Sequence, residues 1–314
     1  MIISASRRTD IPAFYSDWFM EQIRKGIFYR KNPYNNEIIS TFVSPDTTDV
    51  IVFWTRNPQN MMRKGYLNEL TDLGYKYYFQ YTITGYQIKS DSGCNIDGST
   101  PHPLKAIETF NKLADEIGVD KLIWRFDPII VNDDIPKEHI LKIFSLISQN
   151  INPELKRVVI SFLDDYQKVS TNMKKTGFSR PVDLIYPANK EILNFLLNGL
   201  TSINLNYNDR QIYTCAESID LTQWNIKPSK CIDDQYIKDV FGIKVSRAKD
   251  QGQRKACGCV KSVDVGMYNT CIHNCAYCYA TQEKETALQN YKEHDKSSPF
   301  IIKDNHFNLN NRII

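Results

Sequence analysis

Short runs of β-forming residues alternate with helix-like patterns along most of this 314-residue chain. Each run is followed by a segment whose apolar residues recur at the three-to-four-residue spacing of an amphipathic helix. Strands that alternate with helices in this way form parallel sheets, because each helix returns the chain to the same edge of the sheet. The six runs cover 2–6, 50–54, 77–84, 122–126, 158–162 and 211–214.

The helix signals between these runs have recognisable ends. The first predicted helix begins at Asp10, a good capping residue followed by Pro12, and it ends at Gly26. The other predicted helices cover 58–73, 104–117, 136–148, 189–200 and 231–241. Six β/α units in a row predict an α/β fold with a parallel sheet, whereas periodicity leaves open whether that sheet is open or closed into a partial barrel.

The chain changes character after residue 243. Residues 244–314 are rich in Lys, Arg, Gly and Cys, with one predicted helix at 277–293 and a polar tail at 296–314 that either packs on the body or frays. We therefore predict a β/α region over 1–243 and a cysteine-rich segment with its tail over 244–314, packed together as one unit.

Composition and charge exclude several classes of protein. The chain is 42% apolar, which is enough to build a core, and it has no apolar run of membrane-spanning length. Its net charge of +3 is too small to indicate nucleic acid or an anionic membrane as a partner. The first residues lack a secretory signal, so we expect a cytoplasmic protein whose eight cysteines are metal ligands or reactive thiols rather than disulfides.

Three of the cysteines are closely spaced. Cys271, Cys275 and Cys278 follow the pattern C-x3-C-x2-C. A compact loop of this kind brings three thiolates around one metal ion or cluster, and such a density of sulfur suits iron–sulfur or zinc. His273, inside the loop, is a further candidate ligand, but we expect it to point away from the metal. The alternative to a metal site is that the three cysteines are unrelated free thiols.

Four further cysteines predict a second site. Cys257 and Cys259 are too close in sequence to form a disulfide with each other easily, and the intervening Gly258 lets both sulfurs face one metal. Cys215 lies at a predicted strand end and Cys231 near a helix start. Together they would form a closed four-ligand site, either an auxiliary iron–sulfur cluster or a structural zinc, unless Cys215 and Cys231 are simply buried thiols.

Charged residues follow five of the six predicted strands. Parallel α/β proteins bind ligands at the carboxyl ends of their strands, so these residues are candidates for a polar binding site. The alternative is that they are helix caps and solvated loop charges. The candidates are Arg7, Arg8, Asp10, Arg56, Arg125, Asp127, Asp164 and Glu217.

The cysteine loop, with Tyr277 directly before its third cysteine, resembles the cluster loop of radical S-adenosylmethionine enzymes. The resemblance implies a [4Fe-4S] cluster held by Cys271, Cys275 and Cys278. Its open fourth iron would bind S-adenosylmethionine, whose reductive cleavage yields a 5′-deoxyadenosyl radical that abstracts hydrogen from a substrate. It also implies that the six units form a TIM-like partial barrel with the cysteine-rich segment packed at its mouth.

The whole chain resembles an uncharacterised bacterial family with such a cluster at its C-terminus. The stretches that carry the resemblance are 2–12, 52–58, 253–259 and 271–280. Two features depart from ordinary radical enzymes: the loop follows the sixth unit instead of the first strand, and the Gly-Gly-Glu motif is missing. The resemblance therefore leaves several residues for the cofactor: Arg7, Arg8, Arg56 or Arg125 for its carboxylate; Asp127, Asp164 or Glu217 for its amino group or ribose; and Tyr277 beside the cluster.

Three functions are compatible with these features. The first is a radical S-adenosylmethionine-type enzyme that acts on an unknown small or anionic substrate and takes electrons from a donor such as ferredoxin or flavodoxin. The second is an electron-transfer module without catalysis. The third is a zinc-stabilised protein that binds nucleic acid through the basic residues of 249–261, and a repair enzyme would combine the first and the third.

Overall fold

The computed structural model describes residues 1–31, 35, 37–164 and 167–302. The strands are β1 (Ile2–Ala5), β2 (Ile27–Lys31), β3 (Ile38–Phe42), β4 (Val50–Thr55), β5 (Tyr77–Thr82), β6 (Leu122–Ile129), β7 (Arg157–Phe162), β8 (Gln211–Cys215), β9 (Lys227–Ser229) and β10 (Val263–Asp264). The α-helices are α1 (Ile11–Phe14), α2 (Ser16–Lys25), α3 (Gln59–Arg63), α4 (Tyr66–Asp72), α5 (Pro103–Ile117), α6 (Lys137–Asn150), α7 (Gln167–Lys175), α8 (Lys190–Asn206), α9 (Asp234–Phe241) and α10 (Lys284–Lys292).

Eight of the strands form one parallel sheet in the order β10-β1-β4-β5-β6-β7-β8-β9. The six inner strands coincide with the six predicted runs, which confirms the α/β class. The six-unit TIM-like partial barrel is wrong, because the sheet has eight strands and its edge strands β10 and β9 are not paired with each other in the described parts of the chain. The two edge strands escaped prediction because β10 has two residues and β9 has three, one of them Pro228.

Both faces of the sheet are buried, so its inner strands are apolar throughout. In β4, Ile51 and Phe53 point into the larger core, whereas Val50 and Val52 point into a second apolar cluster on the other face. The helix α9 contributes Ile237 to that second cluster. The two faces therefore differ in what covers them, and the second cluster contains four buried cysteines.

The helix α5 shows how the larger core is built. Pro103 occupies its first turn and Gly118 follows its last residue, which are the usual start and stop signals of a helix. Its buried residues recur at helical spacing along one stripe: Ala106, Ile107, Phe110, Leu113, Ala114 and Ile117. Burying one of the larger side chains, such as Phe110 or Leu113, stabilises the fold by about 1.5–3 kcal/mol.

Three local expectations need correction. The predicted helix 58–73 is two helices, α3 and α4, separated at Gly65, whose φ of +68° suits a glycine. The predicted helix 277–293 begins only at Lys284, because residues 277–278 belong to the cysteine-rich turn and residues 279–283 are irregular. The antiparallel pair of β2 and β3 was not predicted.

The cysteine-rich segment supplies one strand of the main sheet, since β10 pairs with β1. The predicted tail lies in the described chain only as far as residue 302, and its remainder at 303–314 falls outside the described residues. None of the described helices combines the length and the apolar character that a membrane span requires.

Candidate metal and cofactor site

The cysteine loop, which we define as residues 271–278, lies over the carboxyl ends of β1, β4 and β5. Asp10 is the main contact from the first of these ends, and only 7% of it is exposed. Its carboxylate accepts hydrogen bonds from Ala13 N (3.1 Å), Thr55 Oγ1 (2.7 Å) and Arg56 N (2.7 Å). His273 Nε2 lies 2.9 Å from the second carboxylate oxygen. One buried carboxylate thus joins α1, the end of β4 and the cysteine loop.

A second connection runs through Asp97, which is buried beneath the loop. Its carboxylate accepts hydrogen bonds from Tyr277 Oη (2.6 Å), Thr84 Oγ1 (2.9 Å) and the backbone amide of Tyr86 (2.8 Å). Arg56 reaches the same group, with Nη1 3.4 Å from the carboxylate and Nη2 bonded to the Tyr277 hydroxyl. Tyr277 therefore has its hydroxyl fixed by one anion and one cation.

Backbone contacts also hold the loop. Ala276 N donates to Ile96 O at 2.8 Å, and Ser99 N donates to His273 O at 2.7 Å. Gly98 lies between these two contacts with φ +63°, and a Cβ atom there would lie 1.9 Å from His273 O. The segment 96–99 and the cysteine loop thus approach more closely than any other residue type would allow.

The three thiols of the loop lie near one another and are partly buried. Burial raises the pKa of Cys271 well above its ordinary value, and the neighbouring Asp10, Cys278 and Cys275 raise it further. Burial likewise raises the pKa of Cys275 to about 12, although Arg56 opposes the shift. In the described ranges, no three His, Cys, Asp or Glu side chains converge as ligands of a single metal ion.

The first strand end is tied to the cysteine-rich segment by Asp264 of β10. Its carboxylate accepts from Ser4 Oγ (3.0 Å), Ser6 Oγ (2.6 Å) and the backbone amide of Arg7 (2.9 Å). Arg8 Nε lies 3.6 Å from the same carboxylate. The sequence-predicted pair Arg7 and Arg8 is therefore held at the edge of the sheet by a residue that sequence reasoning missed.

Arg125 and Asp127 form an ion pair at the end of β6, and Ser161 Oγ donates to the same carboxylate. Arg125 is buried, with 5% exposure, and burial lowers its pKa to about 10. The indole ring of Trp54 lies 5.2 Å from the guanidinium of Arg125 and 5.1 Å from that of Arg7. Arg125 thus already faces a carboxylate and an aromatic ring of its own protein.

The last two rim residues have different partners. Asp164 pairs with Arg254 in a half-exposed ion pair. Glu217 accepts a hydrogen bond from Phe162 N at 2.9 Å, and burial raises its pKa to about 7. Glu217 is therefore the one sequence-predicted acid of this edge whose raised pKa lies near neutrality.

The second set of cysteines also comes together, on the sheet face opposite the larger core. Cys215, Cys231, Cys257 and Cys259 are all buried in the second apolar cluster. Cys215 and Cys231 are joined as a disulfide, which differs from the expectation of four free ligands. A hydrogen bond from Cys257 lowers the pKa of Cys259, and Arg7 lowers it further against the effect of burial. Cys94 is exposed and forms no disulfide with any described residue.

Sequence reasoning missed Asp97, Asp264, Thr84 and Ser161. None of them stands in a recognisable motif, and their partners are far away in sequence, 180 residues in the case of Asp97 and Tyr277. His273, which we expected to point away from a metal, is bonded to Asp10 and packs edge-on against Phe14 at 4.6 Å.

The fold and this site define a class: an α/β protein with a parallel sheet whose carboxyl edge is covered by a cysteine loop. The chain belongs to the family described as a domain of unknown function, DUF1848, whose model matches residues 2–280. The expected membership of an uncharacterised family is thereby confirmed, and the match includes both sets of cysteines. No curated protein and no solved structure matches the chain.

Proposed function

We propose that the protein is an iron–sulfur enzyme of the radical S-adenosylmethionine type. The observation that carries the proposal is the cysteine loop itself: three partly buried thiols lie near one another in one loop over the carboxyl ends of the sheet. Ligands of parallel α/β proteins bind at this edge. We also propose a cytoplasmic location, because a cluster of this kind needs reduced thiols.

The residues of the loop fit a [4Fe-4S] cluster better than a single ion. In a cluster each thiolate binds its own iron, so the three sulfurs need not converge on one point. Ala280 N lies 3.4 Å from Cys278 Sγ and can donate to it, as amides around cluster thiolates do. Three cysteine ligands leave one iron without a protein ligand, which is where S-adenosylmethionine would bind.

When bound, the cluster would supply an electron that cleaves S-adenosylmethionine to methionine and a 5′-deoxyadenosyl radical. The chain's own contribution is to position the loop and to exclude water. Asp10 fixes the loop through His273, and Asp97 fixes it through Tyr277. The buried ring of Tyr277 belongs to the loop and lies 5.5 Å from the guanidinium of Arg56.

The predicted rim residues differ in whether a protein group already compensates their charge, and therefore in how well they could bind the cofactor. Arg56 and Arg125 face protein carboxylates, so their charge is largely compensated. In the described residues Glu217 accepts a hydrogen bond from the Phe162 amide and forms no ion pair within 4.0 Å. We propose Glu217 as the acidic group that meets the amino group or ribose of S-adenosylmethionine.

The test is anaerobic purification of the full chain with iron and sulfide counted, followed by addition of dithionite and S-adenosylmethionine. We expect about four irons for the cysteine loop and formation of 5′-deoxyadenosine. Both should be lost in Cys275→Ser. Cys94→Ser is the matched control, because Cys94 is exposed and belongs to neither cysteine set.

Two results would contradict the proposal. Iron content that is equal in Cys275→Ser and Cys94→Ser would show that the loop does not hold the cluster. A complete cluster that transfers electrons to an acceptor such as a flavodoxin but never cleaves S-adenosylmethionine would favour an electron-transfer module instead.

A further inference from the structure

Four cysteines from three separate parts of the chain meet on the second face of the sheet. Cys215 ends β8, Cys231 lies between β9 and α9, and Cys257 and Cys259 lie in a turn before β10. Their exposed fractions are 9%, 4%, 6% and 1%, so all four are removed from water. The fold, and not one local loop, therefore brings these four cysteines into the same apolar cluster.

We propose that these four cysteines form a closed structural zinc site when the Cys215–Cys231 disulfide is reduced. The site is separate from the cysteine loop and does not depend on the proposed radical chemistry. With Cys215 and Cys231 joined, only Cys257 and Cys259 remain as thiols in this cluster. Reduction therefore changes the number of available ligands from two to four, which is the full set of a structural zinc.

The spacing of the sulfurs favours one ion over a cluster. Thiolates on a tetrahedral zinc bind at about 2.3 Å, which places neighbouring sulfurs roughly 3.8 Å apart. Cys215 and Cys231 are in direct contact, and Cys257 is hydrogen-bonded to Cys259. Each pair is thus within the span of a single ion, and Cys259 Sγ lies 3.4 Å from the amide of Ile232, the residue after Cys231. As the disulfide stands the four do not form a ligand set, so the two pairs must close on the ion after reduction.

The surroundings suit the charge of such a site. Zinc with four thiolates carries a formal charge of two minus, which is costly to bury without positive or hydrogen-bonding partners. Arg125 Nη1 lies 3.3 Å from Cys231 Sγ, and Arg7 lies beside Cys259. The backbone amide of Ile232 points at Cys259 Sγ from 3.4 Å. Two guanidinium groups and a backbone amide therefore lie close enough to the sulfurs to stabilise their negative charge.

The chemistry of loading balances in two steps. A dithiol reductant gives two electrons and two protons to the Cys215–Cys231 disulfide and becomes a disulfide itself. Zn²⁺ then replaces the four thiol protons, which pass to water or buffer. The bound ion ties the turn at Cys257 and Cys259 to the end of β8.

The experiment uses the full chain, reduced with a dithiol and incubated with zinc chloride, and it counts zinc after removal of the unbound ion. We expect one zinc per chain, lost in the double variant Cys257→Ser, Cys259→Ser. The matched controls Cys94→Ser and Cys275→Ser should keep it, and the second control separates this site from the cysteine loop. Cobalt(II) in place of zinc should give the intense visible absorption of a tetrahedral thiolate site.

Three results would overturn the proposal. Zinc that survives in the double variant would place the ion elsewhere. Iron and sulfide lost from the same variant, with no zinc in the parent, would mean a cluster. A Cys215–Cys231 disulfide that stays intact in the folded, dithiol-treated chain would leave too few ligands.

A second variant covers the case in which the double variant does not fold. Cys257→His keeps four zinc ligands of an accepted type, so it should retain zinc with a weaker sulfur-to-cobalt absorption. Retained zinc with an unchanged cobalt spectrum would show that Cys257 is not a ligand, and the proposal would be wrong.

Discussion

Replacing Gly98 by alanine tests whether the close approach of residues 96–99 holds the cysteine loop. The residue has φ +63°, and the added Cβ would lie 1.9 Å from His273 O and 2.6 Å from the Asn274 backbone. Because real Cβ contacts are essentially never shorter than 3.0 Å, the two backbones must separate by about 1.1 Å. The flexible end of a side chain cannot absorb this shift, since the atoms that collide are backbone.

The expected cost has two parts. A left-handed alanine costs about 1–2 kcal/mol. The separation also strains the bonds from Ser99 N to His273 O (2.7 Å) and from Ala276 N to Ile96 O (2.8 Å), each worth about 1 kcal/mol. Gly98→Ala should therefore lower the free energy of unfolding by about 3–4 kcal/mol if both bonds are lost.

Gly93→Ala is the matched control for the backbone cost. Gly93 also has positive φ, +80°, but a Cβ there would meet nothing within 4 Å. Its expected cost is about 1–2 kcal/mol, from the left-handed backbone alone. Urea unfolding monitored by fluorescence gives both values, and amide exchange at Ala276 reports whether the loop has been released. Equal stabilities of the two variants, with Ala276 still protected, would refute the reasoning.

Three further perturbations test the site. Asp10→Ala should lower the free energy of unfolding in urea by about 3–5 kcal/mol, because several donors lose a buried acceptor. The control Asp17→Ala, at an exposed ion pair, should lower it by less than about 1 kcal/mol. Similar losses in the two variants would contradict the role assigned to Asp10. Tyr277→Phe should lower stability by about 1–3 kcal/mol, since Asp97 loses a buried donor, and more than Tyr279→Phe, whose hydroxyl is half-exposed. The raised pKa of Glu217, about 7, means that the folded state holds its proton more tightly than the unfolded state does. Its stabilising contribution is therefore present below about pH 4.5 and is lost as pH rises through about 7. Between pH 4.5 and 8, wild type should lose up to about 3 kcal/mol relative to Glu217→Gln, and parallel pH profiles would contradict the shift.

Much of the sheet could be predicted because its inner strands carry apolar residues on both faces. Continuous apolar runs such as 50–54 and 158–162 are typical of strands that are buried on both faces. The edge strands could not be predicted in this way, because β9 and β10 are short and partly polar. The predicted helix at 277–293 was too long, because residues 277–283 are not helical and α10 begins at Lys284.

The site was predicted unevenly for a related reason. Closely spaced cysteines can be recognised in a sequence, so both sets could be predicted as candidate ligands. The structure places the members of each set near one another. Asp97 and Asp264 gave no comparable signal, because a single aspartate in a loop or at a strand end is common. Their importance comes from partners about 180 and 260 residues away, and only the folded chain shows those.

The pairing of β10 with β1 has a consequence for how the protein is made. The first strand emerges early in synthesis, but the acceptor Asp264 follows Ser4 of β1 by 260 residues, and its neighbour Val263 emerges just before it. Until then β1 has one unpaired edge, and unpaired parallel edges are sites where chains associate wrongly. Contacts this distant along the chain also form slowly. The nascent protein therefore spends much of its synthesis with one edge of β1 open to other chains, and the emergence of Val263 and Asp264 completes that edge.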